Sequence, residues 1–471
     1  MKTPILSCCL LLAAGLLFPT ALWAQDANSA DAEPVTAQES DAQRFWFGSY
    51  GRLQPATHLD GARGSQSRIV WPAPRVDEGS YAELEFGYQA FRGEGGLQVD
   101  TVATLAFGDQ FFHFNRDFDA DIAVRNLYAE ARNLVFDGAV LWVGSRMYRG
   151  DDVYLLDFWP LDNLNTFGAG FGWRGDFTRI EAHVGVNQRK DQYQFQVVDV
   201  VDERFIGSQD VIFLDRQRFI SSLKAEQQFG GRNDAIGFKI KAHTELHALP
   251  SGEIRHDQPR TEETLPSDYG WLLGAQFGVW NFAPRSFANL FIRYAGGLAA
   301  YGEDAIPFGL NQDKRAIDAY SLLFALSGAY EHDYFGLILG AFARYFVDAD
   351  RIDEDFDDGW DLAWSLRAIA FLPHYFTPGL EVSHQLRRPN GLSPVSLQQE
   401  TASLWKLSLL PAFTFGDGLF ARPQIRLNYT VSILNDAAQR LFPIDDRRRT
   451  NSVEHFIGLG VEWWFNSTSY Q

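Results

Sequence analysis

The chain has 471 residues, with 60 Asp and Glu against 41 Lys and Arg and a formal net charge of −19. No basic face on so acidic a chain could offset phosphate repulsion, which excludes nucleic acid as a partner. The hydrophobic fraction of 46% would suit a soluble protein. It also suits an outer-membrane barrel, because only alternate residues of a membrane-spanning strand touch lipid.

Residues 1–24 have the features of a cleaved signal peptide: Lys2 near the start, an apolar stretch over residues 5–18 and a small residue before the polar part of the chain. The sequence therefore predicts export. A transmembrane helix is the alternative, but the stretch is short and no basic cluster follows it. The only two cysteines, Cys8 and Cys9, lie in this segment, so we expect no disulfide in the mature chain.

Residues 25–43 contain acids but no base, which predicts a disordered periplasmic leader. From residue 44 to residue 465 the pattern changes to about eighteen stretches of alternating apolar and polar residues. In one of them, Ile425 and Leu427 alternate with Arg426. The arginine face must meet water, because an arginine at the bilayer midplane would cost ~2–4 kcal/mol.

The connections between these stretches alternate between tight turns and long polar loops. Short connections on one side and long ones on the other are typical of outer-membrane barrels, with the short turns in the periplasm. A soluble propeller or sandwich is the alternative, and neither predicts this asymmetry. We therefore predict an all-β fold, a transmembrane antiparallel β-barrel of about eighteen strands around an open, hydrated lumen, followed by a C-terminal extension at 466–471. The long loops are expected near residues 54–78, 187–209, 248–268, 300–316 and 435–452.

Motifs of catalysis and metal binding are weak. Residues 170–175 match the glycine pattern of dinucleotide sites, but a period-2 stretch follows where such a site needs a helix. His243 and His247 are four positions apart, which on a strand separates them by about 13 Å and prevents them from sharing an ion. We expect no enzyme, no cofactor and no metal; a hydrolase built from Ser, His and Asp at the lumen rim is the open alternative.

Residues 141–162 interrupt the alternation with a dense mixture of Arg, Asp and aromatic residues. Such a segment is too polar for lipid and too aromatic for an ordinary surface loop. We predict that it folds inward and narrows the pore; an outer loop packed on its neighbours is the alternative.

This segment resembles the maltoporin family of sugar-specific porins, in which a strand of the form W-x-G-x-R-x-Y leads into D-V-x-x-x-D-F and an inward-folded loop. The stretches at 47–52, 81–84, 420–426 and 462–465 are similar to other strands of that family. The resemblance implies an eighteen-stranded homotrimer that guides oligosaccharides along aromatic side chains flanked by ionisable groups. The matching positions are Trp142, Gly144, Arg146, Tyr148, Asp152, Val153, Asp157 and Phe158.

The resemblance also implies particular site residues. The aromatic path is expected at Tyr50, Tyr81, Phe420 and Trp464. Trp159 stands where the family narrows its channel with a tyrosine. Phe291 is a further candidate, because the alternation along its strand places it on the inward face. The polar partners are expected at Arg52, Glu83, Arg125, Arg146, Asp152, Asp157 and Arg422. The aromatic that a neighbouring subunit contributes in the family has no clear match, and Phe114 and Phe118 are candidates. For each of these aromatic residues the alternative is a place in the aromatic girdle near a membrane interface.

Together these features predict a passive porin in the outer membrane of a Gram-negative bacterium, surrounded by lipid and passing oligosaccharides, with maltodextrins first and sucrose or another glycan open. The rival is a general or anion-preferring pore, since rings of arginine favour anions; acids on the same faces weaken that rival. A further class, adhesion or phage binding through outer loops such as 248–268, could coexist with transport. The eight arginines that parity places inward are Arg52, Arg218, Arg293, Arg344, Arg367, Arg387, Arg422 and Arg426.

Overall fold

The structure is a computed structural model that describes residues 44–108, 121–201, 207–231, 235–257, 260–303, 305–350, 352 and 355–468. The predicted signal peptide and leader, the candidates Phe114 and Phe118, and the last three residues of the C-terminal extension lie outside these ranges. None of the helices in the described part combines the length and apolar character that a membrane span requires.

Strands dominate the described chain, as the alternating pattern predicts. They are β1 (Phe45–Leu53), β2 (Ala56–His58), β3 (Tyr81–Arg92), β4 (Gln98–Gly108), β5 (Asp121–Arg132), β6 (Ala139–Arg149), β7 (Asn163–Arg174), β8 (Thr178–Asn187), β9 (Phe195–Val201), β10 (Ser208–Asp215), β11 (Arg218–Gly230), β12 (Gly237–Leu249), β13 (Gly252–Asp257), β14 (Arg260–Leu265), β15 (Asp268–Trp280), β16 (Phe287–Gly297), β17 (Tyr320–Glu331), β18 (Phe335–Val347), β19 (Gly359–Ala370), β20 (Gly379–Pro389), β21 (Ala402–Leu410), β22 (Ala412–Thr414), β23 (Gln424–Leu434) and β24 (Val453–Phe465).

These strands close into a barrel. Successive wall strands pair antiparallel, and β1 pairs with β3 on one side and with β24 on the other. β2 continues β1 along β24, β22 continues β21 along β23, and the hairpins β9–β10 and β13–β14 stand apart from the wall. The described wall is thus an eighteen-stranded closed antiparallel barrel, which confirms the predicted fold class.

The two faces of the wall differ as the period-2 pattern predicts. On β23 the side chain of Leu427 is 45% exposed, whereas its neighbour Asn428 is fully buried. The outward set meets lipid and the inward polar set meets the lumen. The long loops hold the two free hairpins and a five-residue helix, Asp436–Arg440, whose first turn is capped by the Asn435 side chain.

The lumen is less open than the sequence predicts. The segment expected to be an outer polar loop, 54–78, turns into the barrel at its C-terminal end. There the Asn428 amide donates a hydrogen bond of 2.5 Å to the carbonyl oxygen of Val76. The Lys406 ammonium of β21 lies 2.6 Å from the Asp77 carboxylate, with both side chains buried. This loop therefore fills part of the lumen together with the 150–162 loop, and only the inward fold of the second was predicted.

Candidate functional site

The loop over residues 150–162 lies inside the barrel, as predicted. Its apolar residues Val153 and Leu156 are buried against Phe342 and other inward residues of the wall. Gly340 lets the loop approach, since a Cβ at that position would lie 2.8 Å from the Val153 side chain. The Arg293 guanidinium fastens the far end by donating a hydrogen bond of 2.9 Å to the Pro160 carbonyl.

Beside this loop a cavity of about 1170 Å³ remains open. Its lining combines wall strands, the 150–162 loop and Arg75 from the first loop. Charged side chains such as Arg146 and Asp157 and aromatic side chains such as Trp464 share this lining.

A continuous file of six aromatic rings runs along the cavity. Tyr50 is central: its ring centroid lies 6.1 Å from that of Tyr81, and 6.5 Å from that of Trp464 at an interplanar angle of 13°. Trp464 is followed by Tyr154, an edge contact at 6.2 Å. Tyr154 is followed by Phe420 at 5.5 Å and Phe420 by Phe287 at 6.3 Å. We call these six residues the aromatic file.

The file runs along the pore. Tyr81 begins β3 after a long loop and pairs with Arg52 at mid-barrel. Phe420 and Phe287 lie beside the short connections that precede β23 and β16. The file therefore descends from mid-barrel towards the short-turn end, which faces the periplasm in outer-membrane barrels.

Ionised groups flank the middle of the file. The Glu462 carboxylate lies 2.8 Å from the Arg422 guanidinium and 3.3 Å from that of Arg75. The Tyr154 hydroxyl donates a hydrogen bond of 3.3 Å to the same carboxylate. Arg422 also lies 4.1 Å from the centroid of the Trp464 ring. A buried network of ionised groups thus holds the rings in place, with the Arg422 and Glu462 side chains each 2% exposed.

The upper end of the file has its own polar partners. The Tyr81 hydroxyl donates a hydrogen bond of 2.6 Å to the Glu83 carboxylate. The Arg125 guanidinium pairs with Glu83 and lies 5.7 Å from the Tyr81 ring centroid. Arg52 pairs at 2.9 Å with Glu78 of the first loop. The structure thus brings these three predicted polar residues to the file.

The pKa values of the two aspartates of the 150–162 loop are shifted in opposite directions. Burial and the neighbouring Asp157 carboxylate raise the pKa of Asp152 to about 6. Burial also favours the neutral form of Asp157, but the charges of Arg75 and Arg52 outweigh it and hold the pKa of Asp157 below its usual range. Asp157 therefore stays ionised over the mildly acidic range in which Asp152 takes up a proton.

The remaining predicted residues are placed as follows. Trp159 lines the cavity with the Arg149 guanidinium 3.6 Å above its ring. Arg146 also lines it, paired at 2.8 Å with Glu130. Phe291 points inward but is 1% exposed and packs in the apolar cluster beneath the 150–162 loop. The prediction that Phe291 lies on the aromatic path is therefore wrong. The 150–162 loop covers the Phe291 ring, which supports that loop by packing against it.

Sequence reasoning missed Tyr154, Phe287 and Arg75. Tyr154 lies inside the motif D-V-x-x-x-D-F at a position where the pattern accepts any residue. Phe287 stands next to a turn, where a girdle residue is the ordinary expectation. Arg75 reaches the site only because the first loop folds inward, and no local pattern indicates that fold.

The arginines that suggested an anion pore are different residues from the arginines that line the cavity. Within the part of the chain that the structure describes, none of the eight arginines assigned by parity lines it. Arg218 instead donates hydrogen bonds to the carbonyls of Leu298 and Gly302, and Arg367 pairs at 2.6 Å with Glu381. These side chains hold loops and wall together.

A family model described as LamB porin matches residues 45–465. The chain belongs to the LamB porin family. The match covers the whole described barrel up to its last strand, and it confirms the predicted maltoporin resemblance. Family and fold together make the protein a porin, a channel of the Gram-negative outer membrane.

Solved structures of outer-membrane channels resemble this porin at low identity. OpdK from Pseudomonas aeruginosa is 11% identical, with a TM-score of 0.41 over 90% of this chain and 99% of that one. OccAB1 from Acinetobacter baumannii is 12% identical, with a TM-score of 0.45 over 90% and 96%. OccK2 (OpdF) from Pseudomonas aeruginosa, crystallised with glucuronate, is 13% identical, with a TM-score of 0.42 over 90% and 98%.

Proposed function

We propose that this porin carries out facilitated diffusion of oligosaccharides, with maltodextrins the first class to test. The observation that carries the proposal is the aromatic file. Five of its six rings line the cavity: those of Tyr50, Tyr154, Phe287, Phe420 and Trp464.

A pyranose ring has an apolar face of C–H groups that stacks on an aromatic ring, as apolar groups pack on aromatic side chains generally. Its rim of hydroxyls needs donors and acceptors to replace water. Arg146, Asp152 and Tyr154 line the cavity together with the rings and can supply them. A row of similar, shallow sites suits conduction, because a solute must bind well enough to enter and weakly enough to leave.

Two further parts of the proposal come from the sequence and the family resemblance. The mature protein begins after residue 24, and it works as a homotrimer. The transport is passive, so uptake against a gradient depends on an inner-membrane partner.

The test is the conductance of the purified porin in a planar bilayer while maltose, maltotriose, maltohexaose and sucrose are titrated. Concentration-dependent closure that tightens with maltodextrin length would support the proposal. Closure by sucrose alone would redirect the substrate. Channels that stay open with every sugar would contradict sugar selectivity and leave a general or anion-preferring porin.

A further inference from the structure

A recess of about 220 Å³ beside the main cavity has a strongly basic lining. Five cations surround it, and four of them, all but Lys241, also line the main cavity. We call them the cationic wall: Arg149, Arg179, Lys224, Lys239 and Lys241.

The cationic wall faces the aromatic file across the pore. Arg179 lies on β8, Lys224 on β11, and Lys239 and Lys241 on β12. These three strands are consecutive in the barrel. In the closed order of strands these three lie about half-way round the barrel from β1 and β24, which carry Tyr50 and Trp464. A solute stacked on the file therefore presents its opposite edge to the cations.

The charge balance of the cavity is the reverse of that of the chain. The chain as a whole carries 60 acids and 41 bases. Among the described residues that line the main cavity, there are eight Arg and Lys and five Asp and Glu. The recess has five cations and three carboxylates, those of Asp151, Glu181 and Glu226. A local excess of positive charge inside an acidic protein raises the local concentration of anions.

The wall already holds one carboxylate between two amines. Asp151 of the 150–162 loop lies 2.8 Å from the Lys239 ammonium and 3.0 Å from that of Lys241. Arg179 is exposed, and its guanidinium forms no ion pair or hydrogen bond with any residue that the structure describes. The cationic wall thus binds one carboxylate of the protein itself. Its Arg179 guanidinium remains available to bind a carboxylate of a solute.

We propose that the cationic wall binds the carboxylates of acidic oligosaccharides, those built from uronic acids, while their sugar rings stack on the aromatic file. This rests on the proposed function and names its substrate class. A pore for small inorganic anions would need the cations but not the file. A pore for neutral sugars would need the file but not a positive cavity.

The test compares two probes of equal length, hexagalacturonate and maltohexaose, as blockers of the full-length porin in planar bilayers. Hexagalacturonate is expected to block about tenfold more tightly at 0.1 M salt, because charge-assisted hydrogen bonds add to the stacking. The advantage should shrink at 1 M salt, where the screening length falls from about 10 Å to about 3 Å.

The variant Arg179→Gln locates the effect, and its exposed position should leave folding intact. It is expected to weaken hexagalacturonate block severalfold and maltohexaose block much less, because maltohexaose has no carboxylate for the guanidinium to bind. The matched control is Arg388→Gln, the same change at an exposed arginine on the outer face of β20, which should alter neither.

Tighter block by maltohexaose, or equal block by the two probes, would overturn the acidic substrate class and leave the proposed sugar porin standing. Unchanged hexagalacturonate block in Arg179→Gln would overturn the placement at the cationic wall. Block by neither probe would overturn the proposed function itself.

Discussion

The rings of Tyr50 and Trp464 stack at an interplanar angle of 13° across the seam where the first strand meets the last. The two residues are register partners, and the Tyr50 hydroxyl donates a hydrogen bond of 3.4 Å to Glu462 two positions before the tryptophan. The centre of the aromatic file is therefore built on the closing pair of strands.

The substitution Trp464→Ala removes the ring between Tyr50 and Tyr154. Sugar binding should weaken by about 1 kcal/mol, or roughly fivefold, because an aromatic contact of this size is lost. The measurement is the maltohexaose concentration that half-closes the channel. Trp405→Ala is the control, since Trp405 is 44% exposed on the outer face. Equal constants in the two variants would contradict the role of the file.

The substitution Trp159→Ala removes the largest side chain that the 150–162 loop adds to the cavity lining. Single-channel conductance should rise, because the indole and the Arg149 guanidinium stacked on it narrow the lumen together. Trp360→Ala, at an outward tryptophan that is 41% exposed, should leave conductance unchanged. An unaltered conductance in Trp159→Ala would place the narrowest section elsewhere.

Asp152 should make ion selectivity depend on pH. Its pKa is raised to about 6 by burial and by Asp157, so it is ionised at pH 7.5 and neutral at pH 5. Loss of that negative charge makes the cavity more positive, and preference for anions should increase as the pH falls. The reversal potential in a salt gradient measures this. Asp152→Asn should show the acid-side selectivity at both pH values; a wild-type shift retained in the variant would refute the assignment.

The buried pair of Lys406 and Asp77 should hold the first loop in the lumen. Lys406→Met leaves the carboxylate buried without its cation, which costs about 3–5 kcal/mol when one partner of such a pair is removed. The thermal unfolding temperature in detergent should fall. The double variant Lys406→Met with Asp77→Asn should recover part of the loss, and a purely additive loss would mean that the two side chains are not coupled.

Much of this architecture is predictable from the sequence, because every strand of a closed barrel alternates residues that face the lumen with residues that face outward. Arg426 and Leu427 differ by one position and face water and lipid for that reason alone. The motif around Trp142 and Asp157 likewise predicts an inward loop before any contact is known.

The long-range packing is not predictable in the same way. Val76 and Asp77 are bound by Asn428 and Lys406, more than three hundred residues away, and nothing in the sequence near Val76 indicates those partners. Phe291 shows the same limit: parity correctly predicts that it faces inward, but whether an inward residue meets water depends on which loop lies over it.

A binding surface divided between the two ends of a polypeptide is absent until synthesis, export and strand pairing are all complete. Tyr50 arrives with the first barrel strand, Tyr154 with the loop and Trp464 only with the final one. A chain that stalls before its last strand therefore cannot hold a sugar at this place. Affinity for the solute is thus a direct assay of whether the barrel has closed, and a ligand that occupies the seam should stabilise the fully assembled wall over every incomplete form.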